Sequence, residues 1–344
     1  MPTISIVIPV YNAQAFIKET LESIIAQTYT DWECILVDDC STDNSIGIIN
    51  SIILKEERIK CISLKQNYGS AKIPIKIGVE SSTSPWILAM GHDDLLAPDY
   101  LYRILEKQRT TLADIVVATV SPFGDKSYKK VLPEVGFDYN QIIDGKDAIS
   151  LTIPDWDISL LGMLTSRYLY TVLYSSYDYK PYMNSDELDV RILVYFAKKV
   201  VFSDAQYNYQ VLSSSITRKR SVKLFERLFV DAQLEDFILE KFNKESDLSQ
   251  KMRKARFDAL LFWQQEYWET RKDYKQKDRL EIINIIRKNF NTQDKKKLKK
   301  EFNNHSRFWK IAFLSNYLFF YFSSTFGYYY LKMIVSFFRK FTLK

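Results

Sequence analysis

The chain has 344 residues, which is enough for one large domain or for two, and its 47% hydrophobic and 26% charged residues exclude a disordered protein. The formal net charge is +6, but the lysines are unevenly spread and form a block at 295–300. Nucleic-acid binding would rest on this block alone, so we expect no nucleic-acid partner. Three cysteines without paired spacing, together with two histidines, argue against a zinc site and against a disulfide framework.

Short apolar segments separated by amphipathic stretches occupy the first third of the chain. The segments span 4–10, 34–37, 59–64, 86–90 and 115–120. The first four follow one another at about the length of a strand–helix–strand unit. Strands that are apolar throughout and alternate with helices predict an α/β fold, with a parallel sheet covered by helices on both faces.

The pattern becomes less regular beyond residue 125 and closes with a strand-like stretch at 200–211. The following residues are highly charged with helical periodicity, and an aromatic segment ends the chain. We therefore expect three parts, which are an α/β domain at 1–220, a charged helical region at 221–303 and a tail at 304–344.

Polar clusters follow three of the predicted strands. Residues 9–12 close the first strand, 38–41 follow the second and 92–94 follow the fourth. Aspartates in such places are often helix caps or turn formers, and that interpretation is open for each cluster alone. Because ligands bind beyond the carboxyl ends of parallel strands, three such clusters on one edge of a sheet predict a ligand site.

The residue types in these clusters suit a nucleoside diphosphate. Tyr11 offers a flat face to a base, and Asp38 or Asp39 can accept a hydrogen bond from a base imide or a ribose hydroxyl. Asp93 and Asp94 suit Mg²⁺ or Mn²⁺, which bind through a few carboxylates and phosphate oxygens. The sequence contains neither a P-loop nor a dinucleotide fingerprint.

Several stretches closely resemble family 2 glycosyltransferases with the GT-A fold. They are "SIVIPVYN" at 5–12, "CILVDDCSTDNS" at 34–45, the carboxylate pair after the fourth strand and "YNYQVLSSSIT" at 207–217. The resemblance covers about residues 3–217. It implies a GT-A, Rossmann-like, mostly parallel sheet flanked by helices and followed by a helical C-terminal region. It also implies an inverting transferase that moves a sugar from a nucleotide-sugar donor to an acceptor hydroxyl.

The resemblance further implies which residues form the donor site. The residues that we expect to bind the donor nucleotide are Pro9, Tyr11, Asn12, Asp38, Asp39, Asn67, Lys72 and Asp93, of which Lys72 stands in for an arginine of the family pattern. Asp39 matches the residue that reads the base, while Asp93 and Asp94 match positions that hold the metal ion and the donor sugar. The cofactor would be a divalent cation, Mn²⁺ or Mg²⁺. Gly91 stands where the family usually has its first aspartate, which leaves the metal fewer ligands. His92 is not counted as a ligand, because a hard cation prefers oxygen.

A second departure from the family pattern follows Asn67 and Gly69, where no arginine occurs. Lys72 or Lys76 would serve the diphosphate instead, and two solvated lysines on a helix are the alternative interpretation.

The acceptor side of the site is expected at 183–192, which resembles the acidic stretch that opens a helix in this family. Direct displacement with inversion needs a base for the acceptor hydroxyl. Asp186 is our first candidate and Glu187 the second, since Ser185 occupies the usual glutamate position. The alternative is that Ser185 or Asp186 only caps the helix.

The aromatic tail suggests contact with a membrane. Between Lys310 and Lys332 lie 21 residues without a charge, but ten of them are Phe or Tyr and both flanks are basic. Such a segment is better suited to lie on anionic headgroups than to span the bilayer, and packing as core is the alternative. The chain begins with a strand-like segment rather than a signal peptide, so we expect a cytoplasmic protein on the inner face of the membrane.

The sequence thus predicts an inverting transferase that uses a nucleotide-diphosphate sugar, with UDP as the expected nucleotide. The acceptor would be a hydroxyl of a glycan or of a lipid-linked molecule in the synthesis of bacterial surface polysaccharide. The alternatives are a catalytically weak or inactive sugar-nucleotide-binding or scaffold protein, motivated by Gly91, and a nucleotidyltransferase.

Overall fold

The computed structural model describes residues 1–124, 138–153, 160–212 and 220–293. The chain divides into two compact units, Met1–Arg218 and Lys219–Lys344. The predicted tail and the lysine block before it lie outside the described residues.

The first unit is built on one sheet, in which the described residues form nine strands. The strands are β1 (Ile4–Val10), β2 (Trp32–Asp38), β3 (Ile59–Ser63), β4 (Trp86–Ala89), β5 (Leu95–Leu96), β6 (Ile115–Gly124), β7 (Ile142–Ile143), β8 (Met163–Ser166) and β9 (Val200–Val211). Their order is β3-β2-β1-β4-β8-β6-β9-β5, with β7 paired to β9.

Helices connect these strands and form the described part of the second unit. Those of the first unit are α1 (Ile17–Ile25), α2 (Ser45–Ile53), α3 (Lys72–Ser81), α4 (Tyr100–Thr111), α5 (Gly145–Ala148), α6 (Arg167–Ser176) and α7 (Asp186–Phe196). Those of the second unit are α8 (Arg227–Lys241), α9 (Asp247–Thr270) and α10 (Gln276–Asn291).

The centre of the sheet is parallel and apolar. β1 pairs in parallel with β2 on one side and with β4 on the other, and β3 continues the parallel order beyond β2. All seven residues of β2 are buried, as expected for a strand covered on both faces. This arrangement confirms the predicted α/β fold with a mostly parallel sheet.

Three strands were not expected from the sequence and are antiparallel to their neighbours. β8 lies between β4 and β6 and runs antiparallel to both. β5 and β7 are two-residue strands, and each pairs antiparallel with β9. Segments of two to four residues are too short to show a hydrophobic period, which is why the sequence does not reveal them.

The described part of the second unit is helical, as the charged periodic pattern predicted. Its core contains Phe225, Phe257 and Phe290, each with 0% exposure. Arg256 and Glu235 form a buried ion pair between α8 and α9. None of the helices that the structure describes is long and apolar enough to cross a bilayer.

Candidate active site

The polar clusters that follow β1, β2 and β4 meet at one edge of the sheet, as the strand order requires. Val10 pairs with Asp38, and Val7 pairs with Ala89, so the three strands end side by side. The backbone N–H of Asp39 donates to the carbonyl of Val10 at 2.8 Å, which continues the pairing into the loop. We refer to this edge, with residues 9–12, 38–41 and 91–94, as the acidic rim.

Asp39 lies at the centre of the β2 side of the acidic rim and is 5% exposed. Its two carboxylate oxygens accept backbone N–H groups of Tyr68, at 2.9 Å, and Gly69, at 3.2 Å. The side-chain amide of Asn67 donates to the Asp39 carbonyl at 3.0 Å. The expected donor residues Asp39 and Asn67 are therefore in contact, and the 67–69 loop is fixed to the rim by this carboxylate.

The side chains of Asn12 and Asp38 accept hydrogen bonds from the loop after β2. Thr42 donates its backbone N–H to Asn12 Oδ1 at 2.8 Å, and Ser41 donates its own to Asp38 Oδ1 at 3.2 Å. Asn12 and Cys40 have φ values of 50° and 64°, in the left-handed region. Such conformations are costly for residues other than glycine, so the hydrogen bonds must hold these two turns.

Tyr11 and Pro9 lie at the end of β1, beside the loop after β4. Tyr11 is half-buried. The Pro9 carbonyl is 3.1 Å from His92 Nδ1. This contact ties the His92 ring to the backbone of β1 through Nδ1.

Asp94 is fully buried and bound to β9. Its Oδ2 accepts the hydroxyl proton of Tyr207 at 2.5 Å, and its Oδ1 accepts the backbone N–H of Gln210 at 2.8 Å. The Tyr207 hydroxyl in turn accepts the backbone N–H of Gly91 at 3.0 Å. Burial, with a smaller contribution from the charge of Asp93, raises the pKa of Asp94 to about 7.

These contacts limit which carboxylates of the acidic rim are available to a divalent cation. The expected ligand Asp94 already uses both carboxylate oxygens within the protein, whereas Asp93 is partly exposed. Among the described residues, no group of three His, Cys, Asp or Glu side chains is placed to hold a metal ion. Mg²⁺ commonly takes one or two carboxylates plus substrate phosphates and water, so Asp93 with a bound diphosphate fits such an ion. A contact between Asp94 and the cation stays a prediction.

With Asp94 in its observed position, little space is left for a side chain at residue 91. A Cβ atom built on Gly91 would overlap Asp94 Oδ2 and lie 3.1 Å from Asp93 Oδ1. A side chain at residue 91 would therefore require a shift of the Asp94 carboxyl, which Tyr207 and Gln210 hold in place.

The Tyr207 hydroxyl is expected to contribute measurably to stability. Tyr207→Phe leaves a buried carboxyl oxygen and the Gly91 N–H without their partner, at a cost of about 1–3 kcal/mol in the free energy of unfolding. Urea denaturation measures this cost. Tyr170→Phe is the matched control, because the Tyr170 hydroxyl is buried without a hydrogen-bond partner among the described residues. Equal effects of the two substitutions would contradict the role of Tyr207.

Lys72, expected at the diphosphate, is 7% exposed at the first residue of α3. Its ammonium pairs with Asp189 of α7 at 3.4 Å. Asp189 and Tyr207 were both missed by sequence reasoning. Tyr207 falls in the tyrosine-rich stretch that carried the family resemblance, whereas we see no signal in the sequence that distinguishes Asp189 from Asp186 and Glu187.

The two candidate bases lie in the first turn of α7. Asp186 is its first residue, and Glu187 accepts a hydrogen bond from the side chain of Asn184 at 3.2 Å. The Ser185 side chain does not cap this helix; its hydroxyl donates to the Tyr182 carbonyl at 2.7 Å.

The fold is of the GT-A class, and comparison with known proteins shows a family to which part of the chain is similar. Residues 5–161 match the model of "Glycosyl transferase family 2". This segment, which is less than half of the chain, is therefore similar to family 2 glycosyltransferases.

Two curated relatives are named as glycosyltransferases, and a solved structure shares the fold. An uncharacterized glycosyltransferase of Haemophilus influenzae is 42% identical over 105 residues, which are 30% of this chain and 42% of the relative. TuaG of Bacillus subtilis, a putative teichuronic acid biosynthesis glycosyltransferase, is 34% identical over 105 residues, which are 30% of this chain and 41% of the relative. The matches thus span less than half the length of these relatives. The crystal structure of S. aureus TarS 1–349 with UDP-GlcNAc has a TM-score of 0.64 at 17% identity and covers 86% of this chain and 82% of that one, which shows a shared fold.

Proposed function

We propose that the chain is an inverting glycosyltransferase that moves a sugar from a UDP-linked donor to a hydroxyl of a glycan or lipid-linked acceptor in bacterial surface polysaccharide synthesis. The observation that carries this proposal is the convergence of Asp39 and Asp93 on one edge of the sheet, within a segment similar to family 2 glycosyltransferases. TarS in complex with UDP-GlcNAc supports a UDP-linked donor, and the relative TuaG supports a surface polysaccharide.

The donor would lie along the acidic rim. Tyr11 would stack on the base. Asp39, which positions the 67–69 loop, would accept a hydrogen bond from the imide N–H of the base through a lone pair that the backbone N–H groups do not use. Asp93 would share a divalent cation with the diphosphate, and that cation would offset the negative charge of the leaving group.

Transfer would proceed in one displacement. A carboxylate of α7, Asp186 or Glu187, takes the proton of the acceptor hydroxyl. The acceptor oxygen forms a bond to the anomeric carbon as the bond from that carbon to the diphosphate oxygen breaks. UDP leaves with the bonding electron pair, and the configuration at the anomeric carbon is inverted.

The proposal includes the three-part organisation of 1–220, 221–303 and 304–344. The aromatic, basic tail would bring the enzyme to anionic lipid on the inner face of the cell membrane, close to a lipid-linked acceptor.

A sugar-nucleotide-binding protein with weak or no catalysis is the second candidate. One observation favours it: Gly91 and the internal bonds of Asp94 leave Asp93 as the partly exposed carboxylate of residues 91–94. A nucleotidyltransferase has less support, because the family match and the first polar cluster both favour sugar transfer.

Thermal-shift measurements with UDP, UDP-sugars and CTP, each with and without Mn²⁺, test the proposal. We expect UDP with Mn²⁺ to stabilise the protein by about 2.7 kcal/mol at a hundredfold excess over Kd. Asp93→Asn should remove the Mn²⁺-dependent part, whereas Asp147→Asn, an exposed aspartate on α5, should not. Stabilisation by CTP alone would favour the nucleotidyltransferase. Binding of UDP-sugars without any release of UDP would favour the inactive protein.

A further inference from the structure

A buried ion pair joins the donor side of the first unit to the helix that carries the candidate bases. Lys72 Nζ lies 3.4 Å from Asp189 Oδ1, and the two residues are 7% and 4% exposed. Lys72 opens α3, and Asp189 lies in the first turn and a half of α7. They are 117 residues apart in the chain, so the pair is a purely tertiary contact.

Tyr179 completes this cluster. Its hydroxyl donates to Asp189, and its ring centroid is 3.1 Å from Lys72 Nζ. Burial raises the pKa of Asp189 and lowers the pKa of Lys72, so each charge depends on the other. Loss of one partner would leave a buried, uncompensated charge. We refer to Lys72, Tyr179 and Asp189 as the α3–α7 clasp.

Both ends of the clasp are close in sequence to the candidate site. On the donor side, the 67–69 loop that contacts Asp39 leads directly into Lys72. On the acceptor side, Asp186 is three residues before Asp189, on the same face of α7. Asp186 therefore lies within one helical turn of the ion pair.

We propose that the α3–α7 clasp is a positioning device that holds the first turn of α7 at a fixed place relative to the donor loop. Lys72 then acts through Asp189 and not by binding the diphosphate. The inference rests on the proposed function, since it assigns a role within the same site. Its physical basis is that a misplacement of about 1 Å between base and donor can reduce turnover by about 100-fold.

Kinetics separate a positioning role from a phosphate-binding role. We expect Lys72→Met to lower kcat for UDP release from the preferred UDP-sugar by about 100-fold. The Kd of UDP with Mn²⁺ should stay within about twofold, because no donor contact is removed. Lys72→Met/Asp189→Leu, which replaces the pair by apolar groups, should recover most of the lost turnover. Lys18→Met is the matched control, because its pair with Glu22 on α1 is 69% and 59% exposed.

Hydrogen exchange tests the clasp without any need for activity. In Lys72→Met, the amides of 183–190 should exchange about tenfold faster or more, and in the double variant they should return toward the wild-type rate. Tyr179→Phe, which keeps the ion pair, should give a smaller change in the same direction.

The two proposals fail in different ways. Three results together would overturn the clasp and make Lys72 a diphosphate ligand. They are weaker UDP binding in Lys72→Met, no recovery of turnover when Asp189→Leu is added, and unchanged amide exchange at 183–190. A wild-type protein that binds no nucleotide would overturn the proposed function, while the exchange measurement would still decide whether the clasp holds α7.

Discussion

Asp186→Asn is expected to reduce sugar transfer by roughly 10²–10⁴-fold, the usual contribution of a positioned base. The amide keeps the size of the side chain but cannot accept the proton of the acceptor hydroxyl. UDP affinity should be unchanged, because Asp186 belongs to α7 and not to the acidic rim. The measurement is kcat for transfer beside the Kd of UDP for the same protein.

Glu187→Gln decides between the two candidate bases. Glu187 accepts a hydrogen bond from Asn184, which a glutamine oxygen can also accept, so a structural role would survive this substitution. Near-normal turnover in Asp186→Asn together with a large loss in Glu187→Gln would move the role of base to Glu187. Asp147→Asn, in the first turn of α5, controls for the loss of an acidic group at a helix start.

Gly91→Asp, which restores the family's usual carboxylate, is expected to weaken the protein instead of improving it. The new Cβ would overlap Asp94 Oδ2, and that oxygen is held by Tyr207. Overpacking of this kind costs about 1–3 kcal/mol in the free energy of unfolding. Mn²⁺-dependent UDP affinity should fall as well, since the loop that carries Asp93 must shift. Urea denaturation and calorimetry measure the two effects.

A double variant shows whether the clash is the cause. In Gly91→Asp/Asp94→Ala the space of the Asp94 carboxyl is empty, so the two substitutions should cost less together than the sum of their separate costs. Strict additivity would contradict the steric account. Stronger Mn²⁺-dependent UDP binding in Gly91→Asp alone would show that the missing carboxylate limits the site.

The acidic rim is the part of the site that the sequence predicts well. β1 lies at the predicted 4–10, and the ends of β1, β2 and β4 meet as the parallel order requires. This success has a local cause, because a fully apolar strand followed by a polar cluster is visible within ten to fifteen residues. The topology of α/β sheets then determines where the cluster lies.

The internal partners of the predicted residues could not be anticipated. Asp94 appears in sequence as one of two equivalent carboxylates, and only its contact with Tyr207, 113 residues later, gives it a different environment from Asp93. Lys72 likewise appears as a solvated or phosphate-binding lysine until Asp189 is placed beside it. Such pairings depend on which strands and helices become neighbours, and hydrophobic periodicity carries no information about them.

The contacts of Asp94 with β9 set a time order for assembly of the acidic rim. The family-matched segment ends at residue 161, so it contains Asp94 but neither Tyr207 nor Gln210. At about 5–20 residues per second, the ribosome needs on the order of ten seconds to extend the chain from Asp94 to β9. During that interval Asp94 lacks both of its partners on β9. The acidic rim therefore gains its last contacts only when the first unit is nearly whole.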